Sequence, residues 1–399
     1  MIRHIFSLIW TGRKHNAWLF AELSIVFVIA WYMVDLGFQL LHNRSIPMGY
    51  ELDGVYVLEQ VYMTKEEAAE ERDRLLERVR HFPSVRATHM TSRFDVLPFS
   101  SSFNGGRYHA DSTTGKDLHA RYRAINDDDY FEVFDVRSIR TGERARFDLS
   151  DPSGVIVSED FAEKLFGSVE AIGRRIYSGE GALRIVDVIP RQKGAIYELP
   201  YPALYLRYPE EVELLQQIVF SVSRDFDRET FEREVGPCKP LIEESDVLSH
   251  LYGVGKQVVL ARALAIFFVS SIALGIVGSF WFRMRKRRSE IGLRMALGSS
   301  RLRLECLLVG EALLLLLMAS LPALGVAALI VDNDLLMGIG LSGSRGSGDA
   351  MYLINQPWLR YVITAGSTLV IMALVVGLSA WIPARQGANL NPVDALRSE

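Results

Sequence analysis

The sequence predicts an α+β membrane protein: four transmembrane helices, with one large extracytoplasmic α+β domain inserted between the first and the second. Three observations predict it. Apolar residues collect in blocks around 17–41, 259–282, 307–331 and 359–384 instead of spreading evenly. Lys and Arg crowd one set of the flanks of these blocks. Between the first two blocks, residues 42–257 change to the alternating and helical patterns of a domain that folds in water.

The spans come first. Uninterrupted uncharged runs cover 263–282 (20 residues), 312–331 (20 residues) and 361–384 (24 residues). A helix rises about 1.5 Å per residue, so roughly 20 residues cross a hydrocarbon core about 30 Å thick. Spans two to four are therefore placed at 258–282, 306–331 and 359–383. The first block, 17–41, contains Glu22 and Asp35 with 12 uncharged residues between them. A soluble core helix and a cleaved signal peptide compete with a span here. The apolar region is too long for a signal peptide, and no small-x-small site follows in QLLHNRSIP. Both carboxylates lie near an end of the block, within reach of the interface, so it is read as a retained span. Glu22, Asp35 and Glu311 are the costly groups of the spans; interfacial placement, or pairing with Arg262 or Arg360, is the expectation.

Charge sets the orientation. The flanks 1–16, 283–305 and 384–399 together carry +9 in a chain of net charge −4, which leaves −13 for the remainder. Basic flanks stay in the cytoplasm. Both termini and 283–305 are thus expected on the cytoplasmic side of the inner membrane, with 42–257 and the loop 332–358 outside. Topology explains the basic residues without any nucleic acid. Cys238 and Cys306 fall on opposite sides, so no disulfide joins them and the outer domain must rely on its core.

Within the outer domain, GYELDGVYVLEQVYM reads as a strand through Val55, Val57 and Leu58. A helix follows, with a capping box at Thr64 and Glu67, a stripe of Ala68, Leu75, Leu76 and Val79, and Pro83 as its stop. A strand begins near Val85, and 98–117, rich in Ser, Gly and Asn, reads as a loop. HARYRAIN alternates as a strand, and DDDYFEVFDV starts a short helix under an acidic cap. SGVIVSEDFAEKLFG gives a strand and a helix capped by Ser158 and stopped by Gly167. GRRIYSGEGALRIVDVIP is a hairpin turning at 178–181. PALYLRY and QQIVFSVSRD are strands, RETFEREVGPC is helical, and 239–262 is expected to run as a stalk helix into the second span.

No catalytic constellation is present. YGVGKQ lacks the first glycine and the Ser/Thr of a phosphate-binding loop, and there is no H-E-x-x-H, C-x-x-C or G-x-S-x-G. His109 and His119 near Asp111 read as solvated loop residues, and the acids of DDDY as partners of a helix N-terminus, so no metal site is expected.

RKRRSEIGLRMALGSSRLRL, residues 285–304, is both basic and amphipathic. Glu290 stands four residues before Arg294, the favourable order for a helical ion pair, and Ile291 with Met295 and Leu293 with Leu297 are apolar i,i+4 pairs. Gly298 suits a helix stop, and Ser299 or Ser300 the cap of the next helix. A plain basic loop would not need so punctuated a pattern. Arg287, Glu290, Ile291, Gly292, Leu293, Arg294, Ala296, Leu297, Gly298 and Ser299, with Glu311 further on, resemble the cytoplasmic loop of FtsX/MacB-like permeases of ATP-binding-cassette systems. The tail PARQGANLNPVDALR is similar to that family's tail through Pro383, Ala384, Arg385, Pro392, Ala395, Leu396 and Arg397, with Gly387 where alanine is usual. DYFEVFDVRSIRTGE, VIVSEDFAEKLFG, IGRRI and LRIVDVIP follow the family's order in the outer domain, and the likeness is weakest over 40–115.

The resemblance implies a permease subunit that works as a homodimer, or as a heterodimer with a related permease, docked on a cytoplasmic ATPase dimer. The ATPase is expected to be a separate protein, because 16 residues precede the first span. ATP and Mg would then be bound by that partner, and this chain would hold no cofactor, metal or catalytic residue and would not itself be an enzyme. Residues 287–299 would be the ATPase-coupling segment of a mechanotransmission system that exports or extracts a substrate from the outer leaflet or periplasm. The same scaffold could instead relay ATPase cycles to an envelope hydrolase or sensor, and an autonomous receptor is a third reading. A periplasmic adaptor or effector is a further expected partner. Membrane lipid is another, since LLMGIG in the loop 332–358 is suited to rest on the outer leaflet.

Overall fold

The computed structural model describes residues 13–58, 65–91, 104–110, 117–125, 128–148, 150–179, 181–207, 217–243, 254–286, 299–333 and 352–388. The chain divides into two compact units, one helical and one formed by 43–256 with 343–348.

The helical unit takes most of α1 (Arg13–Ser45), together with α6 (Val254–Lys286), α7 (Arg301–Asp332) and α8 (Pro357–Ala388). Among the described residues, 20–45, 301–332 and 357–386 are helical, long and apolar enough to cross a membrane. α6 covers the segment expected as the second span; its described apolar stretch, 262–275, is shorter than a span. The core of the unit sets large residues of α1 (Leu23, Phe27, Trp31) against small ones of α7 and α8, among them Ala319, Ala323, Ala365 and Ala380. Small residues let helices approach closely where no water drives them together. Ile266, Phe267 and Leu274 of α6 are exposed, a face that lipid tails accommodate. Ser300 caps α7 as expected, its Oγ accepting from Arg303 N at 3.4 Å.

The second unit contains two sheets. β1 (Val55–Leu58), β2 (Val85–Met90), β9 (Ile218–Val222) and β10 (Cys238–Pro240) form an antiparallel sheet in the order β10-β1-β9-β2. Between β2 and β9 the chain builds a closed barrel, β3-β4-β8-β5-β7-β6, from β3 (Asn104–His109), β4 (Asp117–Ile125), β5 (Gly154–Ser158), β6 (Arg175–Ser178), β7 (Gly181–Ile189) and β8 (Ala203–Arg207). β4 with β8 and β5 with β7 run parallel. Closure removes the open edges that a small sheet would expose. Successive residues alternate between two clusters: Val155, Val157 and Leu204 enter one with Phe161 and Leu165, while Ile156 and Tyr205 enter the other with Tyr130, Phe131 and Phe134. Helices α2 (Lys65–His81), α3 (Asp129–Val133), α4 (Glu159–Phe166) and α5 (Arg228–Glu234) cover the sheets. Neither Cys238 nor Cys306 forms a disulfide.

Four expectations change. Within 98–117, residues 104–109 form β3, not loop. Gly105 suits a close approach of the strands: a Cβ there would stand 3.0 Å from the His119 ring. Ser158 sits at the N-cap of α4 with extended backbone, but its Oγ accepts from Ala203 N at 2.8 Å, tying β5 to β8 in place of capping. Asp128 likewise makes no cap bond and accepts from Phe147 N at 2.9 Å. RETFEREVGPC is helical only to Glu234, and Cys238–Pro240 pairs with β1 as a strand, so helix does not begin at 239. Gly167 does end α4 in the left-handed region at φ 71°, its N–H on Glu163 O at 2.7 Å.

Candidate functional site

The chemistry-bearing residues gather in three places. The first is where α7 begins and α8 ends. Ser299 precedes the Ser300 cap, and one turn later Leu304 and Leu308 are buried against Ala384. The structure thus brings the edges of the two sequence motifs together although some 80 residues separate them along the chain. Pro383 is buried inside α8, and Arg385 lies over the Trp381 ring with Cζ 5.3 Å from its centroid. Arg287, Glu290, Ile291, Gly292, Leu293, Arg294, Ala296, Leu297 and Gly298 lie outside the described residues, as do Pro392, Ala395, Leu396 and Arg397.

The second is a polar seam between α1 and α8. Asp35, 1% exposed, pairs with Arg360 at 3.1 Å, and its other oxygen accepts from Gln39 Nε2 at 2.8 Å. Arg360 Nη1 also donates to Ile354 O at 2.9 Å. One helical turn before Asp35, Trp31 Nε1 donates to Thr364 Oγ1 at 3.0 Å. Of the two arginines considered from sequence, Arg360 is the partner of Asp35. Glu22 lies beside α6: a Cβ on Gly275 would stand 2.9 Å from Glu22 Oε1. Glu311 is buried on α7.

The third lies in the second unit, where residues 43–50 meet the segment between β7 and β8. Lys193 is wholly buried, and its Nζ donates to the carbonyls of Asn43 at 2.7 Å, Ile46 at 3.1 Å and Ile196 at 2.7 Å. Asn43 stands in the last turn of α1, so the ammonium meets a carbonyl at the negative end of the helix dipole, one that also accepts from Ile46 N at 3.3 Å. Asn43 Nδ2 donates to Tyr197 O at 2.8 Å, Lys193 N to Met48 O at 3.1 Å, and the Tyr50 hydroxyl to Lys193 O. Gly49 has φ 86°, and a Cβ there would fall 2.1 Å from Arg191 O. Burial pushes the Lys193 ammonium down to about 8, opposed by Glu198, and pushes the Tyr50 phenol well up.

Beside Lys193, β4 presents Arg121 and Arg123 on one face. Arg123, 7% exposed, stands opposite Tyr205 of β8; its Nη1 donates to the Tyr130 hydroxyl, and its Cζ lies 5.6 and 5.9 Å from the Tyr130 and Tyr205 ring centroids. The Tyr205 hydroxyl donates to Gln192 Oε1. Arg121 stacks on Tyr201 at 3.8 Å and pairs with Glu198 at 3.5 Å. Burial raises the Glu198 carboxyl, opposed by Arg121. Gly194 leaves room for that pair, since a Cβ would stand 2.9 Å from Arg121 Nη1. Sequence reasoning missed this cluster. The alternation in HARYRAIN did place both arginines on one face of a strand, but PRQKGAIYELP has no period from which to place Lys193 or Gln192.

Comparison with known proteins adds the relationship. A family model described as MacB-like periplasmic core domain matches residues 23–237, and one described as FtsX-like permease C-terminal matches 262–392. The chain is similar to macrolide export ATP-binding/permease protein MacB 1/2 of Paracoccus denitrificans, 25% identical over 67% of this chain and 41% of that protein. It is also similar to an uncharacterized ABC transporter permease of Methanocaldococcus jannaschii, 25% identical over 62% of this chain and 52% of that one. The chain thus spans about half or less of the length of these relatives. Among solved structures, the periplasmic region of MacB from Actinobacillus actinomycetemcomitans matches at 14% identity and a TM-score of 0.29, covering 51% of this chain and 86% of that one.

Proposed function

The chain belongs to the FtsX-like permeases with a MacB-like periplasmic core domain, the ABC transporter permeases, and we propose that it couples a separate cytoplasmic ATPase to export or extraction of a substrate from the outer leaflet or periplasm. The observation that carries this reading is α6. It is one unbroken helix of 33 residues, about 50 Å long at 1.5 Å per residue, whereas a hydrocarbon core is about 30 Å thick. Some 20 Å of rigid helix is then free to project beyond the bilayer as a stalk. On this reading there are four spans, with α6 the second, both termini cytoplasmic, and the permease working as a dimer.

The coupling residues in this proposal are those of 287–299. Their support is the packing of the segment's far end: Ser300 fixes the start of α7, and Ala384 of the tail motif packs on the first turns of that helix. A push on the segment 287–299 would be delivered to two helices at once. ATP and Mg belong to the ATPase, and this chain supplies the lever.

The test is crosslinking from 285–304 in native membranes, with identification of what is captured. A nucleotide-binding ATPase is the expected product, and Gly292→Trp or Gly298→Trp should abolish ATP-driven transport while leaving expression and insertion intact. Capture of no ATPase under conditions that keep the permease dimeric would sink the proposal. An ATPase together with an envelope hydrolase, in place of an export partner, would move the assignment from transport to regulation.

A further inference from the structure

We propose that Trp381 and Arg385, at the C-terminal end of α8, hold the headgroup of an anionic phospholipid. α8 presents an exposed apolar stripe at helical spacing, Val362, Val370, Leu374 and Leu378, bracketed by the exposed Trp358 and Trp381. The two tryptophans stand 23 residues apart, about 35 Å at 1.5 Å per residue, against a hydrocarbon core about 30 Å thick. Indole rings favour the two membrane interfaces, where one edge is apolar and the other wet. Arg360, the one charged residue between them, turns from the stripe to Asp35 at 3.1 Å. Ser367 is exposed, and its Oγ donates to Ile363 O of the same helix at 2.8 Å. Lipid tails, which offer no hydrogen bonds, require polar groups to be satisfied in this way.

The two ends of the stripe differ in charge. At one end Arg360 is engaged by Asp35 and by Ile354 O. At the other, Arg385 is exposed and lies over the Trp381 ring with Cζ 5.3 Å from its centroid, and among the described residues no carboxylate pairs with it. A guanidinium stacked by one face keeps its in-plane N–H groups, which fit a phosphate bidentately. Ala384, next to Arg385, packs on Leu304 and Leu308, which sets the start of α7 alongside. There Arg301 and Arg303 are exposed, with Glu305 as the one acid of the turn. Three arginines beside one glutamate favour a headgroup of net negative charge over a zwitterionic one. The apolar stripe takes the acyl chains, which inorganic phosphate lacks. The site depends on α8 crossing the membrane, and not on the ATPase or on which leaflet is cytoplasmic; on the proposed topology the lipid belongs to the cytoplasmic leaflet.

The full chain is reconstituted in phosphatidylcholine vesicles that carry brominated acyl chains on either phosphatidylglycerol or phosphatidylcholine, at equal mole fraction. Tryptophan quenching is read, and the part lost on Trp381→Phe or on Trp358→Phe isolates the signal of each residue. Brominated phosphatidylglycerol is expected to quench Trp381 in preference to brominated phosphatidylcholine, with no preference at Trp358. Arg385→Gln should cut the preference about fivefold, the factor that about 1 kcal/mol per basic residue near an anionic surface implies. Arg385→Lys, which keeps the charge without the fork, should retain more of it, and the thermal midpoint checks that both variants fold. Equal quenching of Trp381 by the two lipids in wild type overturns the proposal, as does a preference unchanged in Arg385→Gln or equal in the two Arg385 variants. Quenching of Trp381 by neither lipid also overturns it and assigns the face to a protein, a second copy or the ATPase. Loss of the preference on adding inorganic phosphate at fixed ionic strength overturns the lipid assignment in favour of a free phosphate.

Discussion

Replacing Lys193 by Met tests whether the clamp on the end of α1 holds as its geometry implies. The substitution keeps length and apolar stem and removes the ammonium, so the carbonyls of Asn43, Ile46 and Ile196 lose their donors at 2.7, 3.1 and 2.7 Å. Hydrogen bonds from a charged group contribute about 1.5–3 kcal/mol each, and restoring water to an ammonium that burial had stripped offsets much of that sum. The expected net loss is about 2–3 kcal/mol, within the range of a broken buried network.

The pH dependence identifies the cause. Burial holds the folded-state pKa at about 8, against 10.5 for an ordinary lysine. Between those values the unfolded chain binds the proton and the folded one does not, so stability rises with pH across this window, by at most about 1.4 kcal/mol per pH unit. Below pH 8 both states are charged and this contribution is flat. The Tyr50 phenol, pushed up by burial, keeps its proton in the folded chain while the unfolded phenol begins to ionise near pH 10. The opposing slope it adds there is common to wild type and Lys193→Met and cancels in their difference. Denaturant unfolding of the full chain at pH 7, 8, 9 and 10, wild type against Lys193→Met, is the assay. A gap at pH 7 below about 0.5 kcal/mol, or a gap that does not grow from pH 8 to pH 10, refutes the reasoning.

Two further outcomes are expected. Arg360→Met leaves Asp35 charged, 1% exposed and held by Gln39 alone, and should cost about 3–5 kcal/mol; adding Asp35→Asn should recover most of that loss in thermal unfolding, and failure to recover would mean that Arg360 acts through packing and not through its charge. Gly49→Ala forces a side chain into φ 86° and against a carbonyl 2.1 Å away, so a loss of about 2–4 kcal/mol is expected, with faster amide hydrogen exchange over 43–50; exchange unchanged there would show that Arg191 yields to the methyl group.

The parts of the fold that were legible are those governed by one-dimensional rules. Uncharged runs gave α7 and α8, Gly167 and Ser300 marked helix ends, and the cost of burying a carboxylate pointed from Asp35 to a basic residue at another span end. What escaped was decided by partners distant in sequence. Gly105 read as loop because its role, letting β3 lie close to His119 on β4, exists only once the strands pair. Ser158 had the right place for a cap and spent its hydroxyl on β8. Lys193 stands between Pro190 and Gly194 in a segment without a period, and nothing local reveals that one of the carbonyls it serves lies 150 residues earlier.

Those carbonyls bear on how the proposed permease could transmit force. α1 is unbroken from Arg13 to Ser45, yet its residues up to His42 belong to the helical unit and those from Asn43 onward to the second unit. A helix whose last turn is only frayed into solvent would dissipate displacement at its end, because its final carbonyls are the weakest part of its hydrogen-bond ladder. Here Lys193 holds that turn from one unit, while Trp31 on Thr364 and Asp35 on Arg360 hold the helix body from the other. A helix fixed at separate points must either move both sets of partners or bend between Asp35 and Asn43, and Gly37, whose Cβ would meet nothing within 4 Å, is the residue in that interval with least side chain to resist bending. On the proposed mechanism, Gly37→Ala should therefore leave folding and ATPase capture unchanged. If α1 transmits as a rigid rod it should leave transport unchanged as well, and if α1 works by bending it should lower transport.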